Sequence, residues 1–139
     1  MSQSPEAVVR EWFEQLWNRK KVDTIDRLFA ADGVSHGLSG EVMRGPDAFR
    51  PFYQTFNAAF PDMHIEVLRT VVQGDMVVAH NRVTGIHTGA SLGMAPTGRN
   101  VVFEGTSIVR VVDGKIVEGW NVYDFLKMYQ QLGVSAPVS

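Results

Sequence analysis

The chain has 139 residues, 45% hydrophobic and 20% charged, which fits one globular domain over 1–139 that can enclose a core and a small cavity. A net charge of −2 and an isoelectric point near 6.0 leave no basic field for nucleic acid, and Arg19-Lys20-Lys21 reads as a solvated helix end. Cysteine is absent, excluding disulfides and thiolate chemistry. No apolar run reaches the roughly 18 residues of a membrane span and Met1 to Lys20 lacks a signal-peptide core, so a cytoplasmic protein is expected.

Ser4-Pro5-Glu6 reads as an N-cap, a first-turn proline and a first-turn acid, and Val8, Val9, Trp12, Phe13, Leu16 and Trp17 follow at helical spacing. A shorter helix places Val22, Ile25, Leu28 and Phe29 on one side, and Gly33, Gly37 and Gly40 end it in a loop that holds His36. A third helix opens at Gly45-Pro46-Asp47 with the stripe Phe49, Phe52, Tyr53, Phe56 and Phe60; Pro51 predicts a bend or a start later than Pro46. From Met63 the period becomes two, giving strands over Met63–Gln73, Met76–His87, Val101–Val112 and Lys115–Tyr123. Hairpin signals at Gln73-Gly74-Asp75 and Asp113-Gly114 make successive strands antiparallel, with a longer loop from Thr88 to Asn100. Asp124 to Leu132 returns to helical spacing, Gly133 stops it, and Ser135 to Ser139 reads as a frayed tail.

Helices followed by antiparallel strands describe an α+β domain: three N-terminal helices covering one face of a curved sheet, bent into a cone with a mouth. The aromatic stripes suit the lining of such a cavity, and they suit a solid core equally well.

The acid at the last strand-to-helix junction, Asp124, is the main candidate for chemistry. A two-residue Asp113-Gly114 turn would pair Val112 with Lys115 and set Asp124 opposite Phe103. A three-residue turn with Gly114 in a bulge would pair Val111 with Lys115 and put Thr106, Ile108 and Arg110 on one face with Glu118, Trp120, Val122 and Asp124. The second is favoured, because it leaves a mostly apolar path to Asp124 and lets Arg110 reach Glu118. Desolvation disfavours a charged carboxylate, and a base that takes and returns a proton works best with a pKa near ambient pH. The competing reading is that Asp124 caps the following helix. His80 and His87, seven apart, fall on opposite faces of a strand and make no metal pair; His36 and His64 lack partners at ligand spacing. His36 is the exception worth following, because its loop could overhang the cone's mouth. Arg110 is either a salt-bridge partner of Glu118 or a donor to a substrate oxygen. The Thr88–Asn100 segment lacks the Lys and Ser/Thr of a phosphate loop, and Ser91 and Ser107 sit in no nucleophile elbow.

GIHTG from Gly85 to Gly89, PTGR from Pro96 to Arg99, the hairpin from Arg110 to Glu118, Trp120, Asp124 and QQLG from Gln130 to Gly133 together resemble the SnoaL-like polyketide cyclases, also called ester cyclases. The resemblance implies the nuclear-transport-factor-like, cystatin-like cone, a fold that also hosts isomerases, dehydratases, epoxide hydrolases and noncatalytic binders. It further implies that Asp124 is the acid/base of an intramolecular aldol closure of an aromatic polyketide ester, with no metal or organic cofactor. Trp120 would line the substrate wall and His36 a polar pocket position, with Arg110, Ile108, His80, Trp17 and Phe56 as further contacts. Ile108 and Arg110 stand where the cyclases carry glutamine and histidine, and His80 where many members carry arginine, which puts the cyclase substrate in doubt. Sheet-face homodimers are common for the fold, and Phe103, Val109 and Tyr123 are candidates for that interface. Three functions stay open: a cyclase, a related isomerase, hydratase or hydroxylase, and a noncatalytic module that binds a hydrophobic small molecule.

Overall fold

A computed structural model describes residues 3–134; the tail expectation for 135–139 lies outside them. Helix α1, Pro5–Glu11, starts on Ser4, whose Oγ accepts from Ala7 N at 3.2 Å. It continues as a π-helical segment, Trp12–Asn18, in which Arg19 N reaches back five residues to Glu14 O. Wider turns bring residues five apart into line, so Trp12 and Trp17 are both buried against the sheet with Phe13 and Leu16. Lys20, at positive φ, closes the segment by donating to Trp17 O and Met63 O.

Helix α2 is short, Thr24–Leu28. The expected loop behind it is in fact strand β1, Phe29–His36, so Phe29 leaves the helix and His36 ends a strand. β1 runs parallel to the last strand and antiparallel to the two-residue β2, Met43–Arg44. Helix α3, Pro46–Ala59, begins at Pro46 and runs through Pro51, correcting the expected later start. Pro51, the sixth residue of the helix, forgoes the bond an N–H there would give to Asp47 O, and the helix continues through it.

Strands β3 (His64–Gln73), β4 (Met76–Ile86), β5 (Asn100–Val112) and β6 (Lys115–Tyr123) pair antiparallel in sequence, as their hairpin signals predicted. The six strands form one mixed sheet in the order β2-β1-β6-β5-β4-β3, and α4, Phe125–Gln131, follows β6. Phe60, Phe103, Leu16 and Ile25 are among the fully buried side chains between the helices and the inner sheet face.

The β5–β6 register fixes which side chains share that inner face. Asp113 and Gly114, both at positive φ, form a two-residue turn between Val112 and Lys115, not the favoured three-residue turn. Val111 then pairs with Ile116, but Arg110 pairs with Glu118, so Val117 is an inserted bulge residue. Beyond it, Ile108 pairs with Trp120 and Thr106 with Val122. That is the face partition expected from the other turn, reached by a bulge within the strand.

Candidate functional site

The inner face belongs to the set of residues opposite to the one expected. Phe103, Ser107, Val109, Ile116, Gly119, Asn121 and Tyr123 face the helices and line an apolar cavity of about 760 Å³ including its open mouth. Trp12, Phe13, Trp17, Phe49, Phe52, Phe56 and Phe125 form its aromatic walls. Phe52, Phe56 and Phe125, together with Leu38 on the loop after β1, are only half-buried, which marks the rim. Trp17 and Phe56, expected as substrate contacts, lie in these walls.

One polar strip crosses the otherwise apolar wall. Gly105 pairs with Asn81 on one side and Tyr123 on the other. A Cβ on Gly105 would lie 2.1 Å from a Tyr123 ring carbon, so the glycine leaves the space in which that ring lies across β5. The Tyr123 hydroxyl thereby reaches Asn81 Nδ2 on β4 at 2.8 Å and Ser107 Oγ at 2.9 Å. Ser107 Oγ donates to Asn121 Oδ1 at 2.7 Å, and Asn121 Nδ2 donates to Ser35 Oγ at 3.1 Å and to His36 O at 2.9 Å. Burial pushes the Tyr123 phenol above its ordinary pKa, opposed by its bonds to Ser107 and Asn81, so it is protonated at neutral pH. Asn81, Ser35 and Ser107 are all buried, and Asn81 Oδ1 has no partner. No carboxylate or imidazole lines the cavity among the described residues.

Asp124 occupies the capping position. Its Oδ1 accepts from Lys127 N at 3.0 Å, it is exposed, and it is not among the cavity-lining residues, although its neighbours Tyr123 and Phe125 are. The apolar path drawn to it is the outer sheet face. Ile108, Arg110, Trp120 and Val122 all lie there, and Ile108 and Val122 are exposed. His36 also faces outward: its ring stacks on Trp120 with centroids 5.7 Å apart, and Nε2 lies 2.7 Å from Glu118 Oε2. Arg110 misses Glu118 despite their direct pairing and instead lies 3.7 Å from Asp75 Oδ2. His80 sits between Arg69 and Glu104 on the same outer face. Phe103, Val109 and Tyr123, expected at a dimer interface, are interior residues.

Gly105, Asn121, Ser35 and Asn81 escaped the sequence reading, which also placed Ser107 and Tyr123 in other roles. One signal was available: the even positions of β5 carry Glu104 and Arg110, whereas the odd positions from 101 to 111 carry no charge. His87 is fully buried outside the cavity, its Nδ1 accepting from Thr97 N at 3.1 Å, and it anchors the loop before β5.

A family model described as SnoaL-like polyketide cyclase matches residues 7–132. Aklanonic acid methyl ester cyclase DnrD of Streptomyces peucetius is 30% identical over 126 residues, 88% of this chain and 87% of that protein. Nogalonic acid methyl ester cyclase of Streptomyces nogalater is 30% identical over 119 residues, 84% of this chain and 89% of that one. Among solved structures, wild-type IdmH from Streptomyces antibioticus superposes with a TM-score of 0.82 at 30% identity, covering 95% of this chain and 100% of its own. A protein of ketosteroid isomerase-like fold from Catenulispora acidiphila, 20% identical, shares the architecture with a TM-score of 0.79 over 99% of each chain.

Proposed function

The chain belongs to the SnoaL-like polyketide cyclase family, and from that premise we propose that it closes a ring in a flat, largely apolar carbonyl or ester compound held in the cavity, by an intramolecular aldol-type reaction. The observation that carries this reading is an aromatic-walled cavity crossed by a single polar strip. A pocket with that lining suits a largely apolar, aromatic ligand. Relatives named as methyl ester cyclases of aklanonic and nogalonic acid support the substrate class.

Such a closure moves a proton from a carbon beside a carbonyl to the oxygen of the carbonyl it attacks. One carbon–carbon bond forms, nothing leaves, and the product has the mass of the substrate. Holding donor carbon and acceptor carbonyl in contact supplies much of the rate on its own, and an acidic hydrogen flanked by carbonyls asks little of an enzyme base. The strip orients carbonyl oxygens, and the aromatic walls exclude water from the enolate. An acid/base role for Asp124 would require the reacting carbon to protrude past Phe125 at the rim, and the capping bond to Lys127 N competes with it. Turnover of an aromatic polyketide methyl ester, followed by chromatography at constant mass and by a new carbon–carbon correlation in NMR, tests the proposal. Tight binding without turnover would instead favour a noncatalytic binder.

The same reading takes the working unit to be a homodimer formed through the outer sheet face. Val71, Val78, Ile108, Trp120 and His36 make one row across five strands, with Val122 beside it. Arg69, Arg82 and Arg110 flank that row together with Glu104, Glu118 and Asp75. A second copy turned by a two-fold axis can set opposite charges against each other around an apolar centre. Val122→Glu should then give a monomer by sedimentation.

A further inference from the structure

Hydrogens along the polar strip can be placed from one end to the other, because one end is a backbone carbonyl that only accepts. His36 O takes a bond from Asn121, which turns Nδ2 of that amide toward β1 and Oδ1 toward Ser107. Oδ1 cannot donate, so it takes the single hydroxyl hydrogen of Ser107. With that hydrogen committed, the contact between Ser107 and Tyr123 is a bond donated by Tyr123. The Tyr123 oxygen then accepts from Asn81 Nδ2.

The direction of every bond is thereby set, and among the strip's cavity-lining groups one hydroxyl hydrogen is left over. Ser35 Oγ accepts from Asn121 Nδ2 at 3.1 Å, but among the described residues its own hydroxyl hydrogen has no recorded acceptor. Ser35 is 4% exposed and lines the cavity. A desolvated hydroxyl with an unused hydrogen is a binding group for an acceptor oxygen. The hydroxyl hydrogens of Tyr123 and Ser107 are already committed within the strip, and so are the recorded bonds of the Asn121 amide.

Resting on the cavity reading above, we propose that Ser35 is the specificity-determining donor of the site, binding a carbonyl or enolate oxygen at the β1 side of the cavity. The ligand class is a planar apolar body that carries a ketone or enolate oxygen at that point, and Asn121 holds the serine oxygen so that its hydrogen faces the ligand. A ligand that offers only hydrocarbon there gains nothing from Ser35.

The probes are 2-acetylnaphthalene and 2-ethylnaphthalene, matched in shape, with dissociation constants read from quenching of Trp12 and Trp17 fluorescence. Ser35→Ala leaves Asn121 Nδ2 its bond to His36 O, so the fold survives, as circular dichroism will verify. The variant should weaken the ketone about 3- to 10-fold, the worth of one neutral hydrogen bond, and change the hydrocarbon by less than about 2-fold. Ser35→Thr, which keeps the hydroxyl, should retain the ketone's advantage over the hydrocarbon. Equal effects of Ser35→Ala on both probes would overturn the role of Ser35 while leaving the cavity reading in place. Failure of the wild-type protein to bind either probe would overturn both.

Discussion

Replacing Gly105 with alanine should dislodge Tyr123, and the size of the effect follows from the geometry. The added methyl would sit 2.1, 2.3 and 2.7 Å from three ring atoms of Tyr123. Ordinary carbon contacts begin near 3.5 Å, so the ring must retreat by about 1.5 Å. The Tyr123 hydroxyl starts 2.8 Å from Asn81 Nδ2 and 2.9 Å from Ser107 Oγ, and a shift of that size takes both past hydrogen-bonding range. Overpacking costs about 1–3 kcal/mol and leaving Asn81 without a partner a further 1–3 or so, against which a strand alanine returns about 0.5–1 kcal/mol. A net loss of about 1–5 kcal/mol lowers Tm by roughly 4–20 °C for a domain of this length. Differential scanning calorimetry reads it directly, and the decisive control is the same change in a Tyr123→Ala background, where Gly105→Ala should be neutral or slightly stabilising. An equal loss in both backgrounds, or a Tm within about 2 °C of wild type for the single variant, would refute the placement of the ring over Gly105.

The remaining predictions concern the strip and the cap. Asp124→Ala should cost about 1 kcal/mol by urea unfolding, and Asp124→Ser, which keeps a capping oxygen, should recover most of it. Stability should fall as pH rises through about 10, because the unfolded Tyr123 phenol releases its proton there while the buried one, with its raised pKa, holds it. Below that pH both states are protonated and the contribution is constant. Tyr123→Phe should flatten this alkaline slope relative to wild type; Tyr53, also raised by burial, and Lys20, lowered by burial, are common to both proteins and drop out of the comparison. An unchanged slope would place the Tyr123 phenol in solvent.

Most of the architecture was written in periodicities and turn chemistry. The four long strands alternate strongly, and each hairpin carries a glycine at positive φ, so pairing and order could be read directly. Strand β1 could not: Ala30, Ala31, Asp32 and Gly33 have no strand pattern of their own, and it forms because β6 offers a parallel edge. The π-helical turns leave only a faint trace, Trp12 and Trp17 five apart in an otherwise helical repeat.

The site was misread through one residue. Val117 bulges, and whether a residue is skipped there decides which half of β6 faces inward; nothing local to Val117 announces it. Alternation alone groups the two halves of β6 correctly, but the inner half is the one with Gly119, Asn121 and Tyr123, not the one with Trp120 and Asp124. Weighing Glu104 and Arg110 on β5 as solvent markers selects that inner half and brings Ser107, Asn121 and Tyr123 together. Gly105 is the gap that lets Tyr123 cross to Asn81, a role that a glycine within an alternating strand does not announce.

Catalysis inside the cavity is tested by comparing Tyr123→Phe with Asp124→Ser in ring closure of one aromatic polyketide methyl ester at neutral pH. Tyr123→Phe, which removes the hydroxyl at the centre of the strip, should lower kcat/KM at least about 10-fold, while Asp124→Ser should stay within about 3-fold of wild type. A loss of about 100-fold or more in Asp124→Ser, with Tyr123→Phe unaffected, would contradict it and return the chemistry to the acid at the rim.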